Sequence, residues 1–292
     1  MTHIHPTAIV DPLAMIAETV TIGPYCIIGP DVVVGDHTVL HNHVTIHSST
    51  TIGESNVFYP FSVIGANPQD RKYHGEYSVC EIGNHNQIRE HVTIHRGTGN
   101  GGGVTRIGNE NLIMVSAHIA HDCHLGDRIA IANQVMLAGH VRVRDDANIG
   151  GGAGIHHFTT IGDCAFVGGL ARITKDVPPF MIVEGNPAEV RAINGIAMTR
   201  LGFKPEHIDA VKDAFKRLYR DNGHAMADKI ESLRSEYGDV EPVIRLCSAL
   251  KATAEGVHGR ALETSRNDDK RFVEPLIDTA KENFATSDVK QS

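Results

Sequence analysis

Tryptophan is absent from this 292-residue chain, and aromatic residues make up only 5% of it although 41% of its residues are hydrophobic. A core organised by large rings is therefore excluded, and whatever fills the interior is aliphatic. Positive charge is also in deficit. The 27 Lys and Arg residues stand against 35 Asp and Glu, a formal charge of −8, which argues against nonspecific nucleic-acid binding by the whole protein while leaving room for a local basic face. The five cysteines are an odd number without framework spacing, which fits a reducing compartment better than a disulfide scaffold. The opening "MTHIHPTAIVD" has neither the basic region nor the apolar run of a signal peptide, and nothing approaches the roughly 20 apolar residues that span a bilayer. A cytoplasmic protein without a transmembrane segment is expected.

What the chain does have is a repeat. Ile4, Val10, Ile16, Ile22, Ile28, Val34, Leu40, Ile46, Ile52, Phe58 and Ile64 recur every six residues, the period returns at Ile82, Ile88 and Ile94, and it runs unbroken from Ile107 to Ile173. Period six suits neither a helix at 3.6 residues per turn nor a plain alternating strand. It suits a hexapeptide solenoid, in which each hexad is a short strand plus a turn and the branched aliphatic points inward onto its equivalents in neighbouring coils. Three hexads close one triangular coil, so positions three hexads apart stack on each other.

Two excursions interrupt the period. The first, residues 66–78, lies between Ile64 and Ile82, a gap of 18 that keeps the frame and reads as a coil-length excursion in place of regular rungs. The second, residues 97–106, is glycine-rich and reads as an extruded, mobile loop. Long loops in a strict repeat are more often binding features than tolerated insertions. The repeat stops at "DVPPF", and from Pro205 apolar residues fall at helical spacing, with further helices expected over "AMADKIESLRSEYG" and "VEPVIRLCSALKATAEG". The expected organisation is a parallel β-helix over 1–190, a helical domain over 191–262 and a polar, poorly ordered tail over 263–292.

The stretch "HIAHDCHLGD" (118–127) concentrates imidazoles and carboxylates. Its His121 and Asp122 occupy the third and fourth positions of a hexad, not the inward one. One coil beyond Asp122 is His140, and two coils beyond His121 is His157, beside His156. Coils are spaced by roughly 4.8 Å, so these residues form one vertical cluster. A histidine held by a carboxylate is a general base for deprotonating a hydroxyl or amine. The same residue types leave a zinc site of His118, His121 and His140 open, as well as a solvated surface, since the chain holds 19 histidines.

The hexad array, "NPQDRKYHGE", "VTIHRGT" with its glycine-rich loop, "SAHIAHDCHLGD", "LAGHV", "GNPA" and the helical tail together resemble the UDP-N-acetylglucosamine O-acyltransferases that start lipid A biosynthesis. The resemblance runs from the N-terminus to about Arg220. It implies a left-handed parallel β-helix followed by a C-terminal α-helical domain, assembled as a homotrimer with active sites between subunits. It implies that His121 is the base acting on the sugar 3-hydroxyl, that Asp122 orients it, and that the Gly139 N–H receives the oxyanion as an acyl thioester on acyl carrier protein is attacked. Gln69, Asp70, Lys72 and His118 would contact the UDP-sugar, His140 and His156 would line the cleft, and Asn194 and Arg200 would lie near the nucleotide. Gly169 matches the position at the end of the acyl groove. No metal or diffusible cofactor is implied. For the acidic carrier protein, the segment 200–220 offers Lys204, Lys212, Lys216, Arg217 and Arg220 as a docking face.

Three departures fall on the acceptor side: His157 stands where glutamine is common, Ile196 where an acid is common, and Leu201 in place of a second arginine. They leave N-acylation of a 3-amino UDP-sugar open. Other hexapeptide acyltransferases, a zinc hydratase and a non-catalytic scaffold are the remaining alternatives.

Overall fold

The computed structural model describes residues 3–221, 223–257 and 259–265. Strands of mostly two residues recur along the chain and fall into three ladders of 11, 9 and 8 strands, with every third strand paired to the next in parallel. The result is a left-handed parallel β-helix of triangular section. Register advances by eighteen positions per coil: Thr21 pairs with Val39, Ala130 with Asn148 and Met136 with Gly154. The inward aliphatics are buried in columns, with Ile22, Leu40, Phe58, Ile88, Ile113, Ile131 and Ile149 at 1% exposure or less along the first face. Each such side chain contributes about 1.5–3 kcal/mol by burial, and β-branched residues suit the short flat strands.

Corners need a different conformation. Three residues after the inward aliphatic, the backbone turns to positive φ, as at Tyr25, Asp31, His37, His43, Ser49, Ser55 and Phe61, and again from Glu110 through Asp122, His140 and Phe158 to Leu170. Left-handed backbone costs a non-glycine residue about 1–2 kcal/mol. It is offset by a hydrogen bond from the corner N–H to the coil below, as in His140 to His121 O at 3.0 Å and Cys164 to Asp145 O at 2.9 Å. The few aromatic rings mostly sit outside this core. Tyr25, His43, Phe61 and His91 stack in sequence along the corner between the first and second faces, with ring centroids 4.9–5.1 Å apart.

Both excursions leave at the corner between the second and third faces. Val57 pairs with Gln87, thirty residues on, and Thr93 with His118, twenty-five on, in place of eighteen. The first excursion thus inserts twelve residues at a corner and replaces no rung, because Ile64 and Ile82 already lie on consecutive faces. Arg96 pins it, donating from its guanidinium to Ser48 O at 3.3 Å and to Asn67.

After Arg172–Ile173 the solenoid ends in an antiparallel hairpin, Met181–Gly185 with Ala188–Ile193, which the sixfold pattern does not announce. Among the described residues four α-helices follow: α1 (Gly195–Arg200), α2 (Pro205–Tyr219), α3 (Met226–Glu236) and α4 (Glu241–Ala254). The short α1 also lacks a sequence signal. Of the proposed tail, 266–292 lies outside the described residues.

One buried polar ladder threads the aliphatic interior. Asn86 Nδ2 donates to Asn56 Oδ1 and to Gly108 O, both at 2.9 Å, and Asn86 Oδ1 accepts from Asn111 N–H at 2.9 Å. Asn86 is fully buried. Truncation strands Gly108 O and Asn111 N–H where water cannot reach, at about 1–3 kcal/mol each, while Asn56 Oδ1 keeps the bond from the Asn86 main-chain N–H at 2.9 Å. Asn86→Ala is therefore expected to lose at least about 2 kcal/mol in urea unfolding, and a loss below about 1 kcal/mol would show that the ladder is not a major support.

Candidate active site

The corner between the second and third faces carries, in successive coils, Asp122, His140, Phe158 and Asp176, directly above the two inserted loops. Asp122 and His140 are both left-handed corner residues, with φ of 60° and 63°. The turn geometry that closes each coil thus places a carboxylate and an imidazole one rung apart. His121 Nδ1 lies 2.8 Å from Asp122 Oδ2, and His140 Nδ1 lies 3.8 Å from the same oxygen. A carboxylate only accepts, so the His121 proton sits on Nδ1 and Nε2 is left as an acceptor.

Asp122 is 4% exposed and held from several sides. Thr98 donates to it from its N–H at 2.8 Å and its hydroxyl at 2.7 Å, while the Asp122 N–H donates to Thr105 Oγ1 at 2.8 Å. Burial alone would raise this carboxyl, but the hydrogen bonds from His121 and Thr98, with His140 nearby, hold it below the ordinary aspartate value. The glycine-rich loop is therefore not simply extruded. Its tip at Gly99 and Asn100 is exposed, but Thr98 is buried beneath it, and a Cβ on Gly101 would collide with the Asp122 carboxylate. Thr98, Thr105 and Gly101 belong to the site. Threonine and glycine are common turn residues, so only the loop's position hints at them.

Gly139 is buried against His121: a Cβ there would lie 2.5 Å from His121 Cε1 and 2.7 Å from Nε2. Its N–H makes no backbone hydrogen bond among the described residues. Beside this corner, the outer surface of the second face forms an open groove of about 380 Å³, lined by His118, Met136 and Gly154 in one column and Ala120, Ala138 and His156 in the next. The groove is apolar over most of its length and begins next to His121. His118 Nδ1 is 2.7 Å from Thr93 Oγ1 and its ring meets His95 edge-on. Among the described residues, donor atoms gather within 4.8 Å of one another in two sets, His121 with Asp122 and His140, and His156 with His157 and Glu263, so the three-imidazole set with His118 is not assembled.

Other sequence candidates lie elsewhere. Gln69, Asp70 and Lys72 stand in the first loop, where Asp70 Oδ1 accepts from the Lys72 N–H at 3.1 Å. Gly169 is exposed at the corner between the first and second faces and does not line the groove. Asn194 is buried as the N-cap of α1, accepting from Ala197 N–H at 3.3 Å and donating to Cys164 O at 2.9 Å. That sets it at a different corner from His121 within one chain, and Arg200 is exposed at the end of the same helix. Of the basic candidates, Lys204, Lys212 and Lys216 are exposed. Arg217 is engaged by Asp213 at 2.7 Å and Glu236 at 2.6 Å, and Arg220 donates to Arg191 O at 3.2 Å. Arg217 is thus tied within the helices and Arg220 to the hairpin strand Ala188–Ile193, which leaves the three exposed lysines as the more open basic face.

A hexapeptide solenoid with a histidine–aspartate corner beside an apolar groove, followed by a helical domain, defines a hexapeptide-repeat acyltransferase. Residues 1–36 match the bacterial transferase hexapeptide repeat family, and residues 176–258 match domain 2 of the UDP-N-acetylglucosamine O-acyltransferases. The acyl-(acyl-carrier-protein)–UDP-N-acetylglucosamine O-acyltransferase of Anaeromyxobacter sp. is 44% identical over 254 residues, covering 87% of this chain and 98% of that protein. The enzyme of that name from Synechocystis sp. is 49% identical over 58% of this chain and 60% of its own length. The crystal structure of UDP-N-acetylglucosamine O-acyltransferase from Moraxella catarrhalis superposes with a TM-score of 0.82 at 44% identity, covering 86% of this chain and 97% of that one. The chain belongs to the acyl-(acyl-carrier-protein)–UDP-N-acetylglucosamine O-acyltransferase family.

Behind the site, His95 is 5% exposed and its Nδ1 finds no protein partner among the described residues. Burial, and then the imidazoles of His118, His121 and His47, push it down to about 4. An unfolded histidine protonates near 6.5, so the unfolded chain takes up this proton first as pH falls. Stability held by neutral His95 is complete above about pH 6.5 and declines by up to about 3 kcal/mol per chain on approach to pH 4. His95→Gln removes that titration. Its urea midpoint is expected to fall less than the parent's between about pH 7.5 and about pH 5, and equal falls would show that other groups carry the acid sensitivity.

Proposed function

We propose that the protein transfers a 3-hydroxyacyl or acyl chain from acyl carrier protein to the 3-hydroxyl of UDP-N-acetylglucosamine, the first step of lipid A biosynthesis. The observation that carries this reading is the His121–Asp122 pair at the mouth of an apolar groove, in a chain of this family. His121 Nε2 takes the hydroxyl proton as the sugar oxygen attacks the thioester carbonyl. Asp122 holds the ring in the required tautomer and stabilises the imidazolium that forms. The tetrahedral oxyanion is received by the Gly139 N–H, close to the base and not engaged in a backbone hydrogen bond. Collapse of the intermediate expels the carrier thiol, which recovers its proton from His121. The groove takes the acyl chain, and each buried methylene favours binding by about 0.8 kcal/mol.

The chain works as a homotrimer in this reading, with Asn194 and Arg200 reaching the site from a neighbouring subunit. Exposed Met136 and Leu170 on the outer surface support assembly. Lys204, Lys212 and Lys216 form the docking face for the acidic carrier protein. No metal or diffusible cofactor takes part, and the sugar nucleotide and carrier are the partners, without nucleic acid. A cytoplasmic location rests on the five free cysteines, all of them buried. Among the described residues no helix is long and apolar enough to cross a membrane.

The deciding experiment mixes the protein with acyl carrier protein thioesters of several lengths and either UDP-N-acetylglucosamine or its 3-amino analogue, with products identified by mass. An O-acylated product is expected. Failure to release carrier thiol in any mixture would leave a scaffold, and stoichiometric bound zinc with hydration activity would make the protein a hydratase. His121→Ala is expected to lower kcat by about 10²–10⁴-fold with the fold intact; activity within tenfold of the parent would remove His121 as base. Gly139→Ala forces the His121 ring aside and is expected to cost at least about 10²-fold in kcat, and a parental rate would show that the ring position is not critical.

A further inference from the structure

Glu263 lies beyond the 176–258 match to domain 2, on the turn Gly259–Ser265 that follows α4, and it returns to the solenoid at the site corner. The turn is anchored at Asp176, the top of the Asp122–His140–Phe158–Asp176 column. Gly259 has φ of +72°, and a Cβ on it would fall 2.5 Å from Asp176 Oδ1, so only glycine passes there without strain. Asp176 is fixed in turn, accepting from Thr160 N–H and Thr253 Oγ1, both at 2.8 Å. From this anchor the chain descends one coil. Glu263 Oε1 then lies 3.0 Å from His157 Nε2 and 3.6 Å from His156 Nδ1.

The contact reaches the reacting corner through packed rings. The His157 ring stands edge-on to Phe158 at 5.7 Å, and Phe158 lies flat on His140 at 4.3 Å with 2° between planes. His140 is the second imidazole facing Asp122. His157 is also one of the acceptor-side departures, a titratable ring where glutamine is common. An imidazole offers one donor and one acceptor in either of two tautomers and needs a partner to fix which nitrogen faces the ligand. A carboxylate accepting from Nε2 supplies that partner.

We propose that Glu263 is a positioning residue for the acyl acceptor: by accepting from His157 Nε2–H it fixes the tautomer and orientation in which His157 meets the sugar nucleotide. The inference rests on the acyl-acceptor reading of the preceding section. Glu263 does not touch the reacting atoms, so its effect falls on acceptor binding and not on the chemical step. The segment after the family-matched helical domain is thereby part of the site, paired with the histidine that departs from the common pattern.

The test measures UDP-N-acetylglucosamine binding by calorimetry, and KM and kcat with an acyl carrier protein thioester, on the full chain. Glu263→Ala is expected to raise both Kd and KM for the sugar nucleotide about tenfold, with kcat within about twofold of the parent. Glu263→Gln recovers most of that affinity, because its amide oxygen still accepts from the imidazole. In a His157→Ala background, which has no donor for the carboxylate, Glu263→Ala has no further effect, as coupling between the two residues requires. Unchanged Kd and KM in Glu263→Ala, a loss confined to kcat, or the same penalty in both backgrounds would overturn the assignment. A parent that binds no UDP-N-acetylglucosamine overturns the acceptor reading itself, and this inference with it.

Discussion

Everything in this molecule depends on a backbone turn that most residues resist. At nearly every corner a non-glycine residue adopts positive φ, and at most of them its N–H is satisfied from the coil below, by a carbonyl or, at Tyr25, His37 and Asp122, by a threonine hydroxyl. The penalty of one left-handed residue is small beside the burial of an isoleucine and the closure of the ladder hydrogen bonds on either side. Repeated around the solenoid, that balance fixes the coil at three hexads and sets the handedness of the prism. It also explains why few rings are needed, since stacked aliphatics fill a narrow triangular interior completely.

The site inherits its precision from the same turn. His121, Asp122 and His140 are corner residues, so their backbone is over-determined by hydrogen bonds before any side chain is placed. The acidic partner is then shielded. Thr98 folds over Asp122 from the inserted loop, and hydrogen bonds outweigh the burial that would otherwise neutralise it. In the proposed mechanism, a buried ionised carboxylate beside a half-buried imidazole keeps its charge for the transition state, when the ring becomes an imidazolium, instead of losing it to water. The groove on the adjacent flat face needs only small residues, and Ala120, Ala138 and Gly154 provide them.

How much of this is legible in the sequence follows from what a period can encode. The inward aliphatics, the fold class and the vertical neighbourhood of Asp122 and His140 can be read, because a separation of three hexads maps directly onto one rung. The reach of Thr98 back to Asp122 cannot, since a loop out of frame has no register to count from. The hairpin and α1 carry no repeat and are invisible for the same reason. The nucleotide-side residues Asn194 and Arg200 come from motif alone, and within one chain Asn194 is an N-cap at another corner. For Gly169, the count of hexads from Ile131 gives both its height along the axis and its corner, and only the motif links that corner to an acyl groove. Glu263 lies in sequence with no pattern, and only the fold brings it to His157.

The two insertions share a property that matters beyond the site. Twelve and seven extra residues enter at one corner, neither count tied to the other, and the strand pairing resumes in register immediately above each. A closed coil thus confines a change in length to the turn where it occurs, and no strand further along is displaced. A loop at this corner can change in length while every residue above keeps its address. Both insertions thus fall on one seam of the prism, and the His121–Asp122 pair sits on that seam without being moved by them.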